Sequence, residues 1–475
     1  MEKLGGEAVT ELARKLGLRD AVYLVIGSVF GSGIFLTTGL IAAELPSPAL
    51  IWSVWILGGA LTLFGAMTYA ELGAMFPGAG GPYVYLREAY GDGAAFLYGW
   101  TFFWIIGTAG VAALAMGFAE IFGALVPSLA LTRPIAAIAL GPVSLTLSAG
   151  HVVAIAALAA LSALNYAGVR NGARFQNGLL ILRLGAIAAF IVLGLLFGDK
   201  PGAANLSPFL PRAPLPALPR FGAALLAVLW TYDGWYSVSC TAEEVRDPRR
   251  TLPRALILGA LAVAGIYLAA NVVYSLALPV SRMKGVVRVG EAAAVALFGA
   301  GAGRVFTALV AAAVLGCLSA NMLFSPRVPF AMARDGLFFK RLARVHPRYR
   351  VPSAAILAQL VWAGLLCLSG SYQSLIEFVT VVLVLFFAAT GFAVIVLRRK
   401  APDRERPYRT RGYPWLPGLY VLANLAILVA VAFSRPVQAL AGAGFVIAGV
   451  PAYLFWRAKG KDRGASASAT GGDPT

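Results

Sequence analysis

The chain has 475 residues, of which 59% are hydrophobic and 13% charged. A soluble domain carries about 25% charged residues, so these proportions exclude an ordinary soluble protein and point to one that crosses a membrane repeatedly. The formal charge of +18 would raise nucleic acid as a partner, but where the charges fall removes that idea. Cys240, Cys317 and Cys367 lie inside or at the ends of apolar stretches, odd in number and without CxxC spacing. Neither a disulfide framework nor a metal site is expected.

In chain order, residues 1–20 read as a cytoplasmic N-terminus, and the first apolar run is too long to be the core of a cleaved leader. Runs of spanning length follow at 21–43, 49–71, 95–126, 149–168, 178–198 and 221–241. Six more lie at 255–279, 304–326, 353–370, 374–397, 415–433 and 437–456. Twelve spans put both termini on one side. Counted by connection, 29 Lys and Arg fall on the side of the termini, nine on the other, and one, Arg183, within a span. By the positive-inside rule both termini are cytoplasmic, in an inner or plasma membrane. The charge excess is a topology signal, and no nucleic-acid partner is expected.

The connections differ in character. Residues 199–220 hold six prolines and read as an external loop without a helix. Pro77-Gly78-Ala79-Gly80-Gly81-Pro82 breaks the chain before an amphipathic stretch to Tyr90, which predicts a short interfacial helix. Residues 457–475 form a cytoplasmic tail, expected to be disordered from Gly464.

The first span is interrupted at its middle by Gly27-Ser28-Val29-Phe30-Gly31-Ser32-Gly33-Ile34-Phe35. Each glycine weakens a helix by roughly 1 kcal/mol against alanine. Two readings fit: close packing of small residues on a neighbouring helix, or a broken helix whose freed amides and carbonyls hold a ligand. A shift of 200 residues lays spans 1–5 over spans 6–10 and drops Gly33 onto Asp233, inside Trp230-Thr231-Tyr232-Asp233-Gly234-Trp235. Five helices per half is an odd number, so the halves must be inverted. Matching breaks in inverted halves are the sequence signature of a transporter's binding site, which favours the broken helix. The domains are then residues 21–198 (first repeat), 221–397 (second repeat) and 398–456 (two further helices).

Asp233 is an ionisable group at membrane depth, a functional candidate by default; capping a half-helix that restarts at Gly234 is the structural alternative. Trp230, Tyr232 and Trp235 could gate a substrate or simply fill the core. Arg183, in the fifth span, must face inward or snorkel. The sharper idea is that its fixed charge stands where a sodium ion would sit between spans 1 and 8, with Ser319 nearby. Glu71, Glu120 and Glu377 are lesser intramembrane polar groups. Glu71, Glu243 and Glu244 lie near cytoplasmic ends, where ion pairs with Arg246 or Arg249 are expected. No nucleotide loop, HExxH, GxSxG or dinucleotide fingerprint occurs, and the two histidines lie apart. Neither catalysis nor a cofactor is expected.

Taken together, Leu16-Gly17-Leu18-Arg19-Asp20-Ala21, Gly31-Ser32-Gly33-Ile34-Phe35, Gly80-Gly81-Pro82-Tyr83, Leu86-Arg87-Glu88-Ala89-Tyr90-Gly91, Tyr232-Asp233-Gly234-Trp235 and Arg246-Asp247-Pro248 resemble the amino acid–polyamine–organocation superfamily. The similarity covers residues 15–456 and is nearest the L-type amino acid transporter branch and its bacterial relatives. It implies an all-α membrane fold of twelve helices, a LeuT-type 5+5 inverted repeat with helices 1 and 6 broken. The implied substrate site comprises Val29, Gly31, Ser32, Gly33, Ile34, Trp230, Tyr232, Asp233, Gly234 and Trp235. In the family the substrate carboxylate sits on first-break amides, here Ser32 and Gly33. The amine meets carbonyls that correspond to Val29, Trp230 and Asp233, and the aromatic gate falls on Trp230. Arg183 replaces the family's lysine, and Ser319 is placed with it as the ion-site substitute. No cysteine matches the one that links eukaryotic members to a partner, so no disulfide-linked partner is expected. The expected function is sodium-independent exchange or facilitated transport of neutral L-amino acids; the alternative is a proton-coupled importer of amino acids or amines.

Overall fold

The structure is a computed structural model, which describes residues 11–140, 143–197, 202–211, 218–369, 372–434 and 436–469. Residues 1–10, parts of the proline-rich loop, residues 470–475 and the side chain of Glu377 lie outside the described residues, with the expectations attached to them.

Among the described residues nine helices are long and apolar enough to cross a membrane. They meet nine of the twelve stretches expected from hydropathy. The first stretch is met by Leu18–Val29 (α1) and Gly33–Glu44 (α2), bent by 41° to one another. The stretches at 221–241 and 353–370 are met by helices of 14 and 17 residues, Leu218–Thr231 and Ser353–Ser369, short of the about 20 that an upright span needs.

The site is positioned by two helices, Pro48–Met75 and Pro248–Ala277, which pack closely together. Small residues let them approach: a Cβ at Gly59 would stand 3.1 Å from that of Ala264. Trp55 of the first sets its ring edge-on to Tyr267 of the second at 5.5 Å. α1 packs on Pro248–Ala277, on Val169–Phe197 and on Ala300–Phe324, while α2 packs on Leu218–Thr231. A buried apolar core runs continuously through these elements.

Four features depart from the sequence reading. Pro134–Leu140 and Val143–Ser148 form an antiparallel pair, so the fold is not purely helical; Val143, Leu145 and Leu147 alternate with polar residues, a period-two signal. The final helix, Pro436–Ala469, runs past Gly464, where disorder was expected. Ala465, Ala467 and Ala469 are strong helix formers there. The second break restarts as helix at Ser237, not Gly234. Finally, the carboxylates near the N-terminal side pair with other arginines than Arg246 and Arg249. Glu244 holds Arg327 through two bonds of 2.8 Å, both side chains wholly buried, and Glu243 holds Arg334. Glu71 accepts from Arg398 at 2.9 and 2.7 Å and from the Thr410 amide at 2.7 Å. The reason is local: Glu243 and Glu244 lie in a 3-10 turn, Ala242–Glu244, that turns them onto Arg327–Arg334, while Arg249 reaches Glu405 at 2.9 Å.

The short helix expected after the Gly-Pro breakers is present as Pro82–Tyr90. Both histidines bind backbone: His151 Nδ1 accepts from the Ser148 amide at 3.1 Å, and His346 Nδ1 from the Tyr349 amide at 3.1 Å.

Candidate substrate site

At the first break α1 ends at Val29, and Phe30, Gly31 and Ser32 separate it from α2. Helix-end carbonyls and helix-start amides have no partner within their own helix. The structure supplies partners for the carbonyls from three other helices. Ser28 C=O accepts the Cys317 thiol at 3.0 Å and the Asn321 amide nitrogen at 3.4 Å. Val29 C=O accepts the Tyr267 hydroxyl at 2.9 Å. Phe30 C=O accepts Nη1 of Arg183 at 2.8 Å. The amides that open α2, at Gly33 and Ile34, have no partner within that helix, and the carbonyls four residues back, Val29 and Phe30, are taken by Tyr267 and Arg183.

The glycines of this break are all close-approach positions. A Cβ at Gly27 would fall 1.8 Å from Nε2 of Gln176, one at Gly31 3.0 Å from Sγ of Cys317, and one at Gly33 2.6 Å from Cγ2 of Thr231. The two readings of the glycine run, tight packing and broken helix, therefore hold together.

At the second break Leu218–Thr231 ends and residues 232–236 turn before the helix resumes at Ser237. Gly234 has φ of +98°, and a Cβ there would meet Ser28 O at 2.7 Å. Only glycine avoids both the left-handed strain and the clash. The Ser28 hydroxyl lies 2.8 Å from the Gly234 carbonyl oxygen and 2.8 Å from the Ser237 hydroxyl. Thr37 and Thr231 hydroxyls pair at 2.9 Å. Tyr267 Oη reaches both breaks, 2.9 Å from Val29 O and 3.2 Å from Thr231 O. Each break is thus braced by the other.

Of the ten residues expected at the site, Gly33, Trp230 and Asp233 keep partial exposure and the other seven are buried. Asp233 carries a buried Oδ1 without a hydrogen-bond partner among the described residues. Tyr232 points away, packed between Trp55 and Tyr267 at 5.9 and 5.0 Å. Trp235 lies in an aromatic wall with Tyr69 at 4.7 Å and Phe387 at 5.7 Å. Val29 and Ile34 bury their side chains, so backbone atoms are what they can offer a ligand.

Arg183 does not snorkel: it is 2% exposed. Its Nη1 donates to Phe30 O and to Ala313 O, each at 2.8 Å, so the guanidinium bridges the first break and the Ala300–Phe324 helix. Among the described residues Nε and Nη2 have no hydrogen-bond partner, and a Cβ at Gly316 would fall 2.7 Å from Cζ. Ser319 is buried on the same helix, but the guanidinium's acceptors are Phe30 and Ala313. Tyr267, Thr231, Cys317 and Gln176 were missed from the sequence. For Tyr267 a signal existed, since a buried tyrosine hydroxyl in mid-span must find a partner.

A profile for the family described as amino acid permease matches residues 16–455. The chain belongs to this amino acid permease family, within the amino acid–polyamine–organocation superfamily. The permease is 33% identical over 448 residues to the serine/threonine exchanger SteT of Bacillus subtilis, covering 93% of this chain and 96% of the relative. It is 29% identical over 455 residues to the branched-chain amino acid permease BcaP of the same organism, covering 94% of each. It is 29% identical over 462 residues to the human large neutral amino acids transporter small subunit 2, covering 96% of this chain and 83% of that one. These relatives are transporters rather than enzymes, and with the apolar helices they make this permease a multi-pass membrane protein whose substrate class is an amino acid.

Proposed function

We propose that this permease carries neutral L-amino acids by alternating access, as a sodium-independent exchanger or facilitator, on twelve spans arranged as a 5+5 inverted repeat with both termini cytoplasmic in the cell membrane. The reading is carried by one observation, the reciprocal bracing of two helix breaks 200 residues apart: Gly33 against Thr231, and Gly234 against Ser28. In this reading the substrate carboxylate lies on the amides of Ser32, Gly33 and Ile34, where helix-start N–H groups favour an anion. The amine lies near the second-break carbonyls and Asp233, and Trp230 closes over the side chain. Serine, threonine, branched-chain and large neutral amino acids in the relatives' names support a neutral substrate, and SteT's name supports exchange.

Sodium independence is argued from Arg183. A guanidinium keeps its proton, and this one stands between the first break and the Ala300–Phe324 helix, on carbonyls that would otherwise be free for a cation. Asp233 favours the second reading, a proton-coupled importer, because it is an acid at the breaks with an unpartnered oxygen.

Reconstituted vesicles separate the two. Uptake of labelled amino acid is expected to require unlabelled amino acid inside, to persist when choline replaces sodium, and to ignore an imposed pH gradient. Uptake driven by that gradient into empty vesicles, and lost in Asp233→Asn, would replace exchange by proton coupling.

A further inference from the structure

Residues 11–16 cross the N-terminal side of the molecule without forming helix, and both ends of this stretch are fastened. At its far end Leu16 forms a parallel bridge with Val245, which follows the 3-10 turn Ala242–Glu244. The N–H groups of Lys15 and Leu16 both donate to Glu244 O at 2.9 Å, and that of Arg246 donates to Leu16 O at 2.8 Å. The two partners belong to the two broken helices. Leu16 lies two residues before α1, and Val245 closes the segment that resumes at Ser237 after the second break. One backbone bridge therefore ties the arm that enters the first break to the arm that leaves the second.

Upstream of the bridge the chain is held by elements outside the two broken helices. Leu12 is 5% exposed and sits in a small apolar cluster with Ala79, Phe330 and Ala355, apart from the main core. Ala79 lies in the turn before Pro82–Tyr90, Phe330 on Arg327–Arg334 and Ala355 on Ser353–Ser369. Arg350 fastens the same stretch from both of its sides of the peptide chain. Its Nε donates to Glu11 O at 3.1 Å, its carbonyl accepts the Ala13 N–H at 3.4 Å, and its guanidinium lies 3.8 Å from the Glu11 carboxylate. It does so from a left-handed backbone, φ +53°, which a non-glycine residue keeps where its surroundings hold it. Glu244 joins the two fastenings, because its carbonyl takes the bridge while its carboxylate holds Arg327, on the helix that carries Phe330.

α1 itself packs on Ala300–Phe324, where Cys317 Sγ lies 3.0 Å from Ser28 O near the end of α1. For α1 to swing away and open the first break to this side, Leu12 must leave its cluster or the Leu16–Val245 bridge must part.

We propose that Glu11–Leu16 is a latch that holds this side of the breaks shut, with Leu12 as its peg and Arg350 as its positioning residue. The latch rests on the alternating-access reading and names contacts that part in one of its two openings. A leucine peg suits repeated release, since apolar burial is non-directional and returns with the side chain. The half-exposed Arg350–Glu11 pair contributes less than the peg.

The test is the rate at which N-ethylmaleimide modifies Cys317 in the purified full-length permease in detergent, read peptide by peptide by mass spectrometry. Cys317 and Cys367 are both buried, and Cys367 serves as the internal control. It lies on the helix of Ala355, about 18 Å further along, with Sγ 3.7 Å from Ala112 O. Leu12→Ala is expected to speed modification of Cys317 by roughly tenfold or more, the worth of one buried leucine side chain. Arg350→Gln should speed it by about threefold. Cys367 should keep the parent's rate in both variants. Arg288→Gln, which removes an exposed ion pair with Glu291 beyond the far end of Pro248–Ala277, should change neither rate. An unchanged Cys317 rate in Leu12→Ala would remove the latch. Equal gains at Cys317 and Cys367 would overturn it as well, because they would mean general loosening. If Leu12→Ala is not monodisperse on size exclusion, Arg350→Gln, which leaves the apolar cluster intact, decides on the same two rates. The labelling needs no substrate, so its failure is separate from a failure of amino acid uptake in vesicles.

Discussion

The two breaks sit against each other and solve opposite problems. The first is short, three residues between α1 and α2, and its carbonyls are taken up by Tyr267, Cys317, Asn321 and Arg183 from three further helices. The second is a five-residue turn, 232–236, with a partly exposed carboxylate, Asp233, and with the partly exposed Trp230 on the helix that leads into it. One break has its carbonyls clamped and its amides left to offer; the other presents side chains. A backbone cradle facing a break with partly exposed side chains suits a ligand of constant head and variable tail, which is what an amino acid is. The same contrast predicts that substitutions in the second break act on geometry no neighbour can relieve only at Gly234, while those in the first act through neighbours that can be trimmed.

The largest effect is expected at Gly234. Valine there would meet left-handed strain, about 1–2 kcal/mol, and a clash with the Ser28 carbonyl, which is backbone. Gly234→Val should therefore lose the folded, monodisperse protein on size exclusion in detergent. Ser28→Ala should not restore it, since the obstacle is not the serine side chain. A folded Gly234→Val protein would mean the second break is far looser than its contacts indicate.

Gly33→Ala is expected to be milder and correctable. Its new methyl meets the Thr231 side chain, with Cγ2 at 2.6 Å and Oγ1 at 2.9 Å. Adding Thr231→Ala removes both atoms at the loss of the 2.9 Å hydroxyl pair with Thr37. The double-mutant cycle on thermal stability should show a favourable coupling of about 1–2 kcal/mol. Strict additivity would break the contrast, because it would mean that Gly33 is required for something other than room.

This pair of glycines marks how far the sequence could be read. The break at Gly31-Ser32-Gly33 and its partner at Asp233-Gly234 were legible from composition and a fixed shift, and so were nine of the apolar helices. What the glycines touch was not legible, because Gln176, Cys317 and Thr231 lie on helices whose rotation hydropathy does not define. The aromatics show the same limit: Trp230, Tyr232 and Trp235 look alike as neighbours in sequence, yet Trp230 keeps exposure while the other two are core. The ion pairs were expected in kind but misassigned in partner, since Glu244–Arg327 spans 83 residues and proximity in sequence favoured Arg246. Arg183 was legible only as facing inward or snorkelling, and its carbonyl partners were not legible at all.

The smallest expected effect sharpens the comparison most. Tyr267→Phe removes one oxygen that lies 2.9 Å from Val29 O and 3.2 Å from Thr231 O and keeps the ring that packs on Trp55 and Tyr232. The loss should be about 1 kcal/mol, the net worth of one buried hydrogen bond, read as a small drop in melting temperature. If the hydroxyl only braces the fold, exchange rates should stay near the parent's once folded protein is counted. If it is the tie that makes the two breaks move as one, exchange should slow by more than that stability loss explains, with substrate affinity measured at equilibrium little changed. The split between rate and affinity decides whether the two breaks are two halves of one moving part or two neighbours that happen to touch.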